Sequence, residues 1–428
     1  MPSRHVSSNG EPRERAALVG LALRRSKKAD AEHSLEELAG LAAAAGATVV
    51  LKMIQERPTP DPATFIGSGK LDELASECTQ FAADVVIFDN ELSPAQLRQI
   101  EGRVDRKVID RTQLILDIFA RRARTREGKW QVELAQLKYL LPRLAGSGTA
   151  LSRLGGGIGT RGPGETKLET DRRRIRQRIH GISLEIDAIR QRRRHSRIRR
   201  QKASVPLVAL VGYTNAGKTT LFNLLTKESA EASNALFVTL DPLVRQVSLP
   251  DRRKLLVSDT VGFIDRLPHT LVAAFRATLE QVAEADLVLH VIDAASPDRD
   301  RHMDAVRRVL EEVGAANVLT LNVFNKCDLI ELGEAERLQR MYPEALCISA
   351  LKNRGRKEMI DAIARKLELD TRRVTLEFDE GSAEDREQIA RVYRHARVVS
   401  HITTGGRVAI EADVPRRVLD RFKAAGGR

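Results

Sequence analysis

The sequence has 428 residues, more than one hydrophobic core usually serves, so about two to four domains are expected. Lysine and arginine (71) outnumber aspartate and glutamate (58), and the net charge of +13 favours an anionic partner such as nucleic acid, although solubility alone explains it equally well. Only 4% of the residues are aromatic, which argues against a base-stacking surface for single-stranded nucleic acid. The three cysteines, Cys78, Cys327 and Cys347, lack zinc-site spacing and exclude a disulfide scaffold.

Residues 1–15 are polar and lack the apolar segment of a signal peptide, and we expect them to be disordered. No apolar run nearby is long enough to span a bilayer. We therefore expect a monomeric cytoplasmic protein without a membrane span.

Residues 16–128 alternate apolar strand-like runs with helix-like segments, which is typical of a small parallel α/β domain. Two helix starts fit a capping box, Ser34 with Glu37 and Ser93 with Gln96. The strand-like runs are ALVGLAL, ATVVLKMI, ADVVIFD and RKVID.

Residues 129–203 carry two apolar stripes with alternating spacings of three and four residues. Such stripes favour an antiparallel helical hairpin in which each helix buries its seam against the other; two independent core helices are the alternative. Pro142 should kink or end the first helix near the tip. The stripes are Trp130, Leu134, Leu137, Leu141 and Leu144, then Ile175, Ile179, Ile182, Ile186 and Ile189.

The Gly-rich segment 145–167 would form the tip of this hairpin. A second phosphate-binding loop is not expected there, because Pro163 and Glu165 stand where such a loop needs an N–H and a lysine. Behind the tip, residues 171–202 hold thirteen Arg or Lys against three acids, which favours contact with RNA phosphates over a merely solvated face. The predicted RNA contacts are Arg153, Gly155, Gly156, Gly157, Arg161, Gly162, Lys167, Arg172, Arg173 and Arg174.

A second α/β pattern covers residues 204–370 and opens with GYTNAGKT, which matches the phosphate-loop motif GxxxxGK[ST] between a strand and a helix. Its glycines let backbone N–H groups approach phosphate oxygens. Lys218 should reach the β- and γ-phosphates, and the Thr219 hydroxyl should ligate Mg2+. The predicted contacts here are Gly212, Tyr213, Thr214, Asn215, Ala216, Gly217, Lys218, Thr219 and Thr220.

The motif DTVG, residues 259–262, ends a later strand. Asp259 is predicted to orient Mg2+ through a water molecule, and the Gly262 N–H to bond the γ-phosphate. We count Lys218, Thr239 and Gly262 as the catalytic candidates.

Two further strand ends carry the base-reading motifs NKCD and SAL. The Asp328 carboxylate can accept from the ring N–H and the exocyclic amine of guanine, whereas adenine offers neither donor. SAL would offer backbone N–H groups to the guanine O6. The predicted guanine contacts are Asn325, Lys326, Asp328, Ser349, Ala350 and Leu351.

Two positions bear on hydrolysis. Thr239 is the candidate switch threonine that binds Mg2+ while the γ-phosphate is present, with Thr226 as the alternative. Phe263 follows Gly262 where many GTPases carry a water-orienting glutamine, and its ring cannot hydrogen-bond water. We therefore expect slow intrinsic hydrolysis that a partner accelerates, although Phe263 is equally compatible with a plain core position.

Residues 371–428 predict strand, helix, strand, strand and helix, with a turn at TGG, residues 404–406. The fold class is therefore α/β: a Ras-like P-loop GTPase domain preceded by a small parallel α/β domain and a coiled-coil-like helical hairpin, with a small α+β C-terminal domain.

With these motifs placed, the chain resembles the HflX family of ribosome-associated GTPases. The resemblance covers about residues 16–370, more weakly the tail, and Cys327 inside the guanine motif is a departure from it. The segments that carry it are SPAQLRQIE, VIDRTQLILDIFARRARTREGKWQVELAQL, GGIGTRGPGETKLETDRR, LVGYTNAGKTTLFN, TLDP, DTVGFIDRLPHTLVAAFRATL and HVIDAA.

The resemblance implies GTP, GDP and Mg2+ as ligands and the 50S subunit and 70S ribosome, through ribosomal RNA, as partners. It implies that the hairpin loop points toward the peptidyl-transferase region and that the protein splits or rescues stalled ribosomes, with hydrolysis stimulated by the ribosome. The protein would then exist both free in the cytoplasm and bound to ribosomes. The ATP hydrolysis attributed to the N-terminal domain of family members has no motif here. The alternatives are a GTP-gated RNA-binding assembly factor without splitting activity and a nonspecific polyanion binder.

Overall fold

The structure is a computed structural model of the chain. It describes residues 13–23, 28–144, 167–202, 205–227, 236–237, 239–241, 243–249, 254–265, 271, 281–367 and 371–415. Among the helices in these ranges, none is both long enough and apolar enough to cross a bilayer.

The chain groups into two compact units. The first consists of residues 1–189, 233–241 and 265–277, and the second of residues 190–232, 242–264 and 278–428. The first unit therefore includes two short segments from the region between the phosphate loop and residue 278, together with the N-terminal domain.

The N-terminal domain is a parallel sheet in the order β2-β1-β3-β4. The central strand β1 is buried from Ala16 to Ala22, as expected of a strand whose sheet is covered on both faces. The four predicted strand runs are confirmed. The elements are β1 Arg15–Leu23, α1 Lys28–Ala44, β2 Thr48–Arg57, α2 Ser68–Gln80, β3 Val85–Phe88, α3 Pro94–Val104, β4 Lys107–Asp110 and α4 Arg111–Arg122.

One of the two predicted capping boxes is confirmed and the other is wrong. Gln96 N donates to Ser93 Oγ at 3.2 Å and Ser93 N to Gln96 Oε1 at 3.0 Å, so α3 begins as predicted. Helix α1 begins at Lys28, which places Ser34 inside it. The Ser34 hydroxyl is buried and donates to Asp89 Oδ2 at 2.6 Å, so it serves a buried polar network and not a helix terminus.

The two predicted helices of the middle region are α5, Arg126–Arg143, and α6, Lys167–Lys202. Helix α5 ends one residue beyond Pro142, as predicted. An ion pair of 2.6 Å between Arg178 and Glu133 joins the helices at their surface. The seam between the helices holds residues of both stripes: Trp130, Leu134, Leu137, Ile179, Ile182 and Ile186.

The second unit contains a six-stranded sheet in the order β10-β9-β8-β5-β7-β6, all parallel except β6, which runs antiparallel to β7. Strand β6 was not predicted, because its exposed Arg245 and Gln246 interrupt the apolar pattern. The elements are β5 Leu207–Gly212, α7 Lys218–Thr226, β6 Leu243–Ser248, β7 Lys254–Asp259, β8 Leu287–Asp293, α8 Arg299–Glu312, β9 Thr320–Asn325, α9 Leu332–Met341, β10 Leu346–Cys347 and α10 Arg356–Lys366.

The C-terminal domain is an antiparallel sheet in the order β11-β13-β12 with one helix, α11. The predicted turn joins β12 to β13 through Gly405 and Gly406, whose φ angles of 60° and 83° favour glycine. The last predicted helix falls on residues 416–428, outside the described residues. The elements are β11 Thr371–Asp379, α11 Ala383–His395, β12 Arg397–Thr404 and β13 Arg407–Pro415. The fold class predicted from the sequence is confirmed.

Candidate nucleotide site

The phosphate-loop motif lies at the carboxyl end of β5, where open parallel sheets place their ligands. Residues 213–217 connect the strand to the first turn of α7. Thr214 N donates to the Phe263 carbonyl at 2.7 Å, and Phe263 N donates to the Gly212 carbonyl at 3.1 Å. The loop is thus fastened directly to the residue that follows DTVG.

Two glycines stand where a side chain would collide with a neighbour. Gly217 has a φ of +90°, and a Cβ there would lie 2.2 Å from Asn325 Nδ2. A Cβ at Gly262 would lie 2.9 Å from Thr214 Cγ2 and 3.2 Å from Lys218 Nζ. Side chains of the site therefore lie directly against the backbone of these two glycines, as a phosphate-binding loop requires.

Lys218 is 6% exposed and folds back over the loop. Its Nζ donates to the carbonyl oxygens of Gly212, at 3.0 Å, and Tyr213, at 2.7 Å. Burial lowers the pKa of Lys218 to about 8, and the charge of Asp259 opposes this shift. The ammonium group is thus a desolvated cation beside the loop.

Oxygen groups suited to a hard cation meet beside this lysine. Thr219 Oγ1 donates to Asp259 Oδ2 at 2.8 Å, and Asp259 is fully buried at the end of β7. The buried Thr214 hydroxyl has no hydrogen-bond partner within the part of the chain that the structure describes. A hydroxyl and a carboxylate are ligands that Mg2+ prefers, so the residues present fit this metal.

Asn325 connects the phosphate loop to the base-reading motifs. It is 2% exposed; its Nδ2 donates to the Ala216 carbonyl at 2.9 Å and its Oδ1 accepts from Ala350 N at 2.9 Å. The next residue, Lys326, has a φ of 64° and pairs with Asp293 Oδ2 at 2.7 Å. One side chain therefore joins three motifs that are far apart in the sequence.

Asp328 and Ser349 lie together at the other end of this arrangement. A hydrogen bond from the Ser349 side chain lowers the pKa of Asp328, so this carboxylate is ionised at neutral pH. Ser349 and Ala350 are buried, whereas Leu351 is exposed. The ionised Asp328 carboxylate thus lies beside the buried residue Ser349.

Thr239 belongs to the first compact unit, whereas the residues described so far belong to the second. Its neighbour Asp241 accepts hydrogen bonds from Arg124 N at 2.9 Å and Thr125 N at 2.8 Å, and also from the Thr125 hydroxyl. The ring of Phe237 packs edge-on against Phe119 of α4 at 4.8 Å between centroids. The segment around Thr239 is therefore held against helices of the N-terminal domain.

The structure also shows the surroundings of Thr226, the alternative switch threonine, and of Phe263, for which a core position was the alternative. The hydroxyl of Thr226 donates to the Phe222 carbonyl at 2.7 Å inside α7. Phe263 is 1% exposed and forms a β-bridge with Tyr213, so its ring is part of the core.

The predicted RNA contacts lie largely outside the described residues. Arg153, Gly155, Gly156, Gly157, Arg161 and Gly162 fall there, and of Lys167 only the helical backbone at the start of α6 is described. Arg173 and Arg174 are exposed on α6, and Arg172 is partly buried.

Two charged groups, Asp293 and Arg111, were not predicted from the sequence. Asp293, the partner of Lys326, ends β8, and this position at a strand end was the available signal. Arg111 is buried, pairs with Asp89 at 2.8 Å and with Glu37, and donates to the Asp265 carbonyl at 3.2 Å. Its partners are distant in sequence, so no local pattern marks it.

Known protein families match most of the length of this chain. Three family models match in succession: "GTP-binding GTPase N-terminal" at residues 32–120, "GTP-binding GTPase Middle Region" at 122–200 and "50S ribosome-binding GTPase" at 207–326. Among solved structures, a GTP-binding protein of Sulfolobus solfataricus in complex with GDP is 24% identical, with a TM-score of 0.43, over 83% of this chain and 98% of that one.

Relatives among curated proteins are much closer in sequence. GTPase HflX of Caldanaerobacter subterraneus subsp. tengcongensis is 48% identical over 366 residues, 86% of this chain and 83% of the relative. GTPase HflX of Escherichia coli K12 is 45% identical over 365 residues, 85% of each chain. The resemblance drawn from the motifs is thereby confirmed, and the chain belongs to the HflX family of GTPases.

Proposed function

We propose that this chain is a Mg2+-dependent GTPase that binds the 50S ribosomal subunit and splits or rescues stalled ribosomes, with hydrolysis stimulated by the ribosome. The observation that carries the nucleotide assignment is the position of Asn325, whose two hydrogen bonds join the phosphate loop to the Ser349–Leu351 segment. The residues that bind the phosphates and the residues that bind guanine must lie at a fixed distance from each other, because both contact the same nucleotide.

The phosphate side follows from the loop geometry. Backbone N–H groups of residues 213–219 at the start of α7 would surround the β-phosphate, and the Gly262 N–H would bond the γ-phosphate. Lys218 would exchange its two carbonyl contacts for charge-assisted bonds to phosphate oxygens. An anion here would raise the pKa of this desolvated ammonium toward its ordinary value.

Thr219 and Asp259 would hold the metal ion, Thr219 directly and Asp259 through water, and Thr239 would join when the γ-phosphate is present. Mg2+ supplies neutralisation of the charge that develops on the phosphate oxygens. The buried Phe263 offers no group to orient the attacking water, so that group would come from the ribosome-bound state.

Guanine selectivity would lie with Asp328, whose ionised carboxylate accepts from the two guanine donors, and with backbone N–H groups of the Ser349–Leu351 segment at O6. Adenine would leave this carboxylate without its bonds. Strong discrimination against ATP at this site is expected.

Three observations support the ribosomal partner. The family model over residues 207–326 describes a 50S ribosome-binding GTPase, and the relatives are named GTPase HflX. The net charge is +13, and α6 exposes Arg173, Arg174 and Arg176. Such a face suits phosphate contact without base reading.

The splitting activity is tested by sedimentation. Purified 70S particles with the protein and a non-hydrolysable GTP analogue should separate into subunits. The second candidate function is a GTP-gated RNA-binding assembly factor, and the lack of a water-orienting side chain at Phe263 supports it. Intact 70S particles in this experiment would favour this second function. Equal, salt-sensitive affinity for duplex DNA and ribosomes would instead indicate a nonspecific polyanion binder.

A further inference from the structure

Cys327 and Cys347 are neighbours at the guanine end of the proposed site. Cys327 follows β9 inside NKCD, and Cys347 ends β10, where it pairs in parallel register with Phe324 of β9. Cys327 N donates to the Ile348 carbonyl at 3.0 Å, and Ile348 N donates to the Phe324 carbonyl at 2.8 Å. Backbone bonds therefore hold together two cysteines that are distant in sequence.

The two thiols share one environment. Both are partly exposed and pack against the apolar cluster that contains Phe324, Leu338 and Ala345. Cys327 Sγ–H donates to the Phe324 carbonyl oxygen at 3.2 Å, and Cys347 Sγ–H is directed at the Ala335 carbonyl oxygen at 3.9 Å. Solvent and small solutes can reach this pair.

The interaction of the two neighbouring thiol groups makes them chemically unequal. It lowers the pKa of Cys347 to about 7 and raises the pKa of Cys327. The pair thus holds a thiolate at Cys347 beside a thiol at Cys327 near neutral pH. The third cysteine, Cys78, is fully buried, and burial raises its pKa to about 11.

We propose that Cys327 and Cys347 form a hydroperoxide-sensitive dithiol, and that its oxidation to an intramolecular disulfide weakens guanine-nucleotide binding. The second half of this inference rests on the proposed function. The first half concerns only the reactivity of the two cysteines.

The chemistry needs one hydroperoxide for each pair. The Cys347 thiolate attacks a peroxide oxygen, the O–O bond breaks, and the departing oxygen leaves as water after taking a proton. The Cys327 sulfur then attacks the sulfenic sulfur of Cys347, the S–O bond breaks, and the leaving hydroxide takes the Cys327 proton. In sum, two thiols and hydrogen peroxide give a disulfide and two waters, and the thiols supply the two electrons that reduce the O–O bond.

A disulfide between Cys327 and Cys347 would displace Asp328, the carboxylate proposed to bind guanine. An S–S bond is about 2.05 Å long, much shorter than any contact between two sulfur atoms that are not bonded, so the two loops must approach each other. Cys327 directly precedes Asp328, and Cys347 lies two residues before Ser349, whose side chain bonds Asp328. Displacing this carboxylate costs at least one charge-assisted bond to guanine, which is about tenfold in affinity or more.

The test maps the disulfide and measures nucleotide binding on the same full-length protein. Reduced protein is treated with hydrogen peroxide, alkylated and digested with trypsin without reduction. The expected product joins peptides 327–337 and 341–352, two hydrogens lighter than their sum, with Cys78 alkylated. In parallel, affinity for a fluorescent GDP analogue should fall about tenfold or more and return after dithiothreitol.

Matched variants separate the contributions. Cys78→Ser should keep both the disulfide and the affinity loss. Cys347→Ser and, independently, Cys327→Val should bind GDP in the reduced state and lose all response to peroxide.

Two results would overturn the inference: Cys327 and Cys347 both alkylated in place of the internal disulfide, and a formed disulfide that leaves GDP affinity unchanged. Reduced protein that binds no GDP would contradict the proposed function, whereas the peptide map is read without nucleotide.

Discussion

At the scale of single residues, guanine selectivity depends on the charge of Asp328. Asp328→Asn replaces one acceptor oxygen by a donor amide, so GTP affinity should fall about tenfold or more while a xanthine nucleotide, which offers an acceptor there, should gain. Competition against a fluorescent GDP analogue measures both changes. Asp304→Asn, on the exposed face of α8, is the control and should change neither affinity.

Gly217 tests whether the contact between the phosphate loop and Asn325 is essential. Gly217→Ala places a Cβ 2.2 Å from Asn325 Nδ2 at a φ of +90°, so both the bridge and the loop must shift. We expect loss of measurable GDP binding by calorimetry with the chain still folded. Gly314→Ala, at a φ of +75° with open space around it, imposes similar backbone strain and should bind GDP normally. Normal binding by both variants would contradict the cradle.

The buried ammonium of Lys218 predicts a pH dependence of the nucleotide-free protein. Its pKa in the folded protein is about 8, below the ordinary 10.5, so the unfolded chain binds more protons between these values. The free energy of unfolding of this unit should therefore gain a contribution as pH rises from about 8 to 10.5. Urea unfolding of wild type against Lys218→Met measures it; parallel pH profiles of the two proteins would refute the assignment.

At the scale of elements, the seam between α5 and α6 depends on a few aliphatic side chains. Ile182 is buried in that seam, whereas Leu184 on the same helix is 58% exposed. Ile182→Ala should cost about 2–4 kcal/mol, and hydrogen exchange in residues 167–189 should become faster. Leu184→Ala should leave exchange unchanged. Equal effects would show that the helices do not share this seam.

Elements built on local patterns were predictable. The strand runs of both sheets, the capping box at Ser93, the turn at Gly405 and the phosphate loop all follow from short contiguous stretches, in which neighbouring residues determine backbone conformation. Strand β6 was not predicted, because an edge strand needs no continuous apolar run.

Features that depend on distant partners were not predictable. Ser34 and Glu37 imitate a capping box, yet their partners Asp89 and Arg111 lie 55 and 74 residues away. The contacts of Asp241 with Thr125 and the backbone bond of Cys327 to Ile348, the residue after Cys347, likewise join separate elements. The local sequence does not indicate such pairs, because they form only when the sheets assemble.

At the scale of the whole molecule, a short segment that follows the phosphate loop in the sequence, residues 233–241, belongs to the same compact unit as the N-terminal domain. Thr239, predicted to bind Mg2+, lies two residues from Asp241, which accepts backbone hydrogen bonds at the start of α5.

We propose that 50S subunits stimulate GTP hydrolysis through residues 145–166, the predicted tip of the hairpin. The most direct test is the steady-state rate of phosphate release with and without 50S subunits, for the wild type and for a chain in which residues 145–166 are replaced by a short serine linker. The wild type should hydrolyse GTP slowly alone and much faster with 50S, and the linker variant should bind GTP equally well but lose the stimulation. Stimulation of both chains to the same rate, or no hydrolysis above background by the wild type with 50S, would contradict the account.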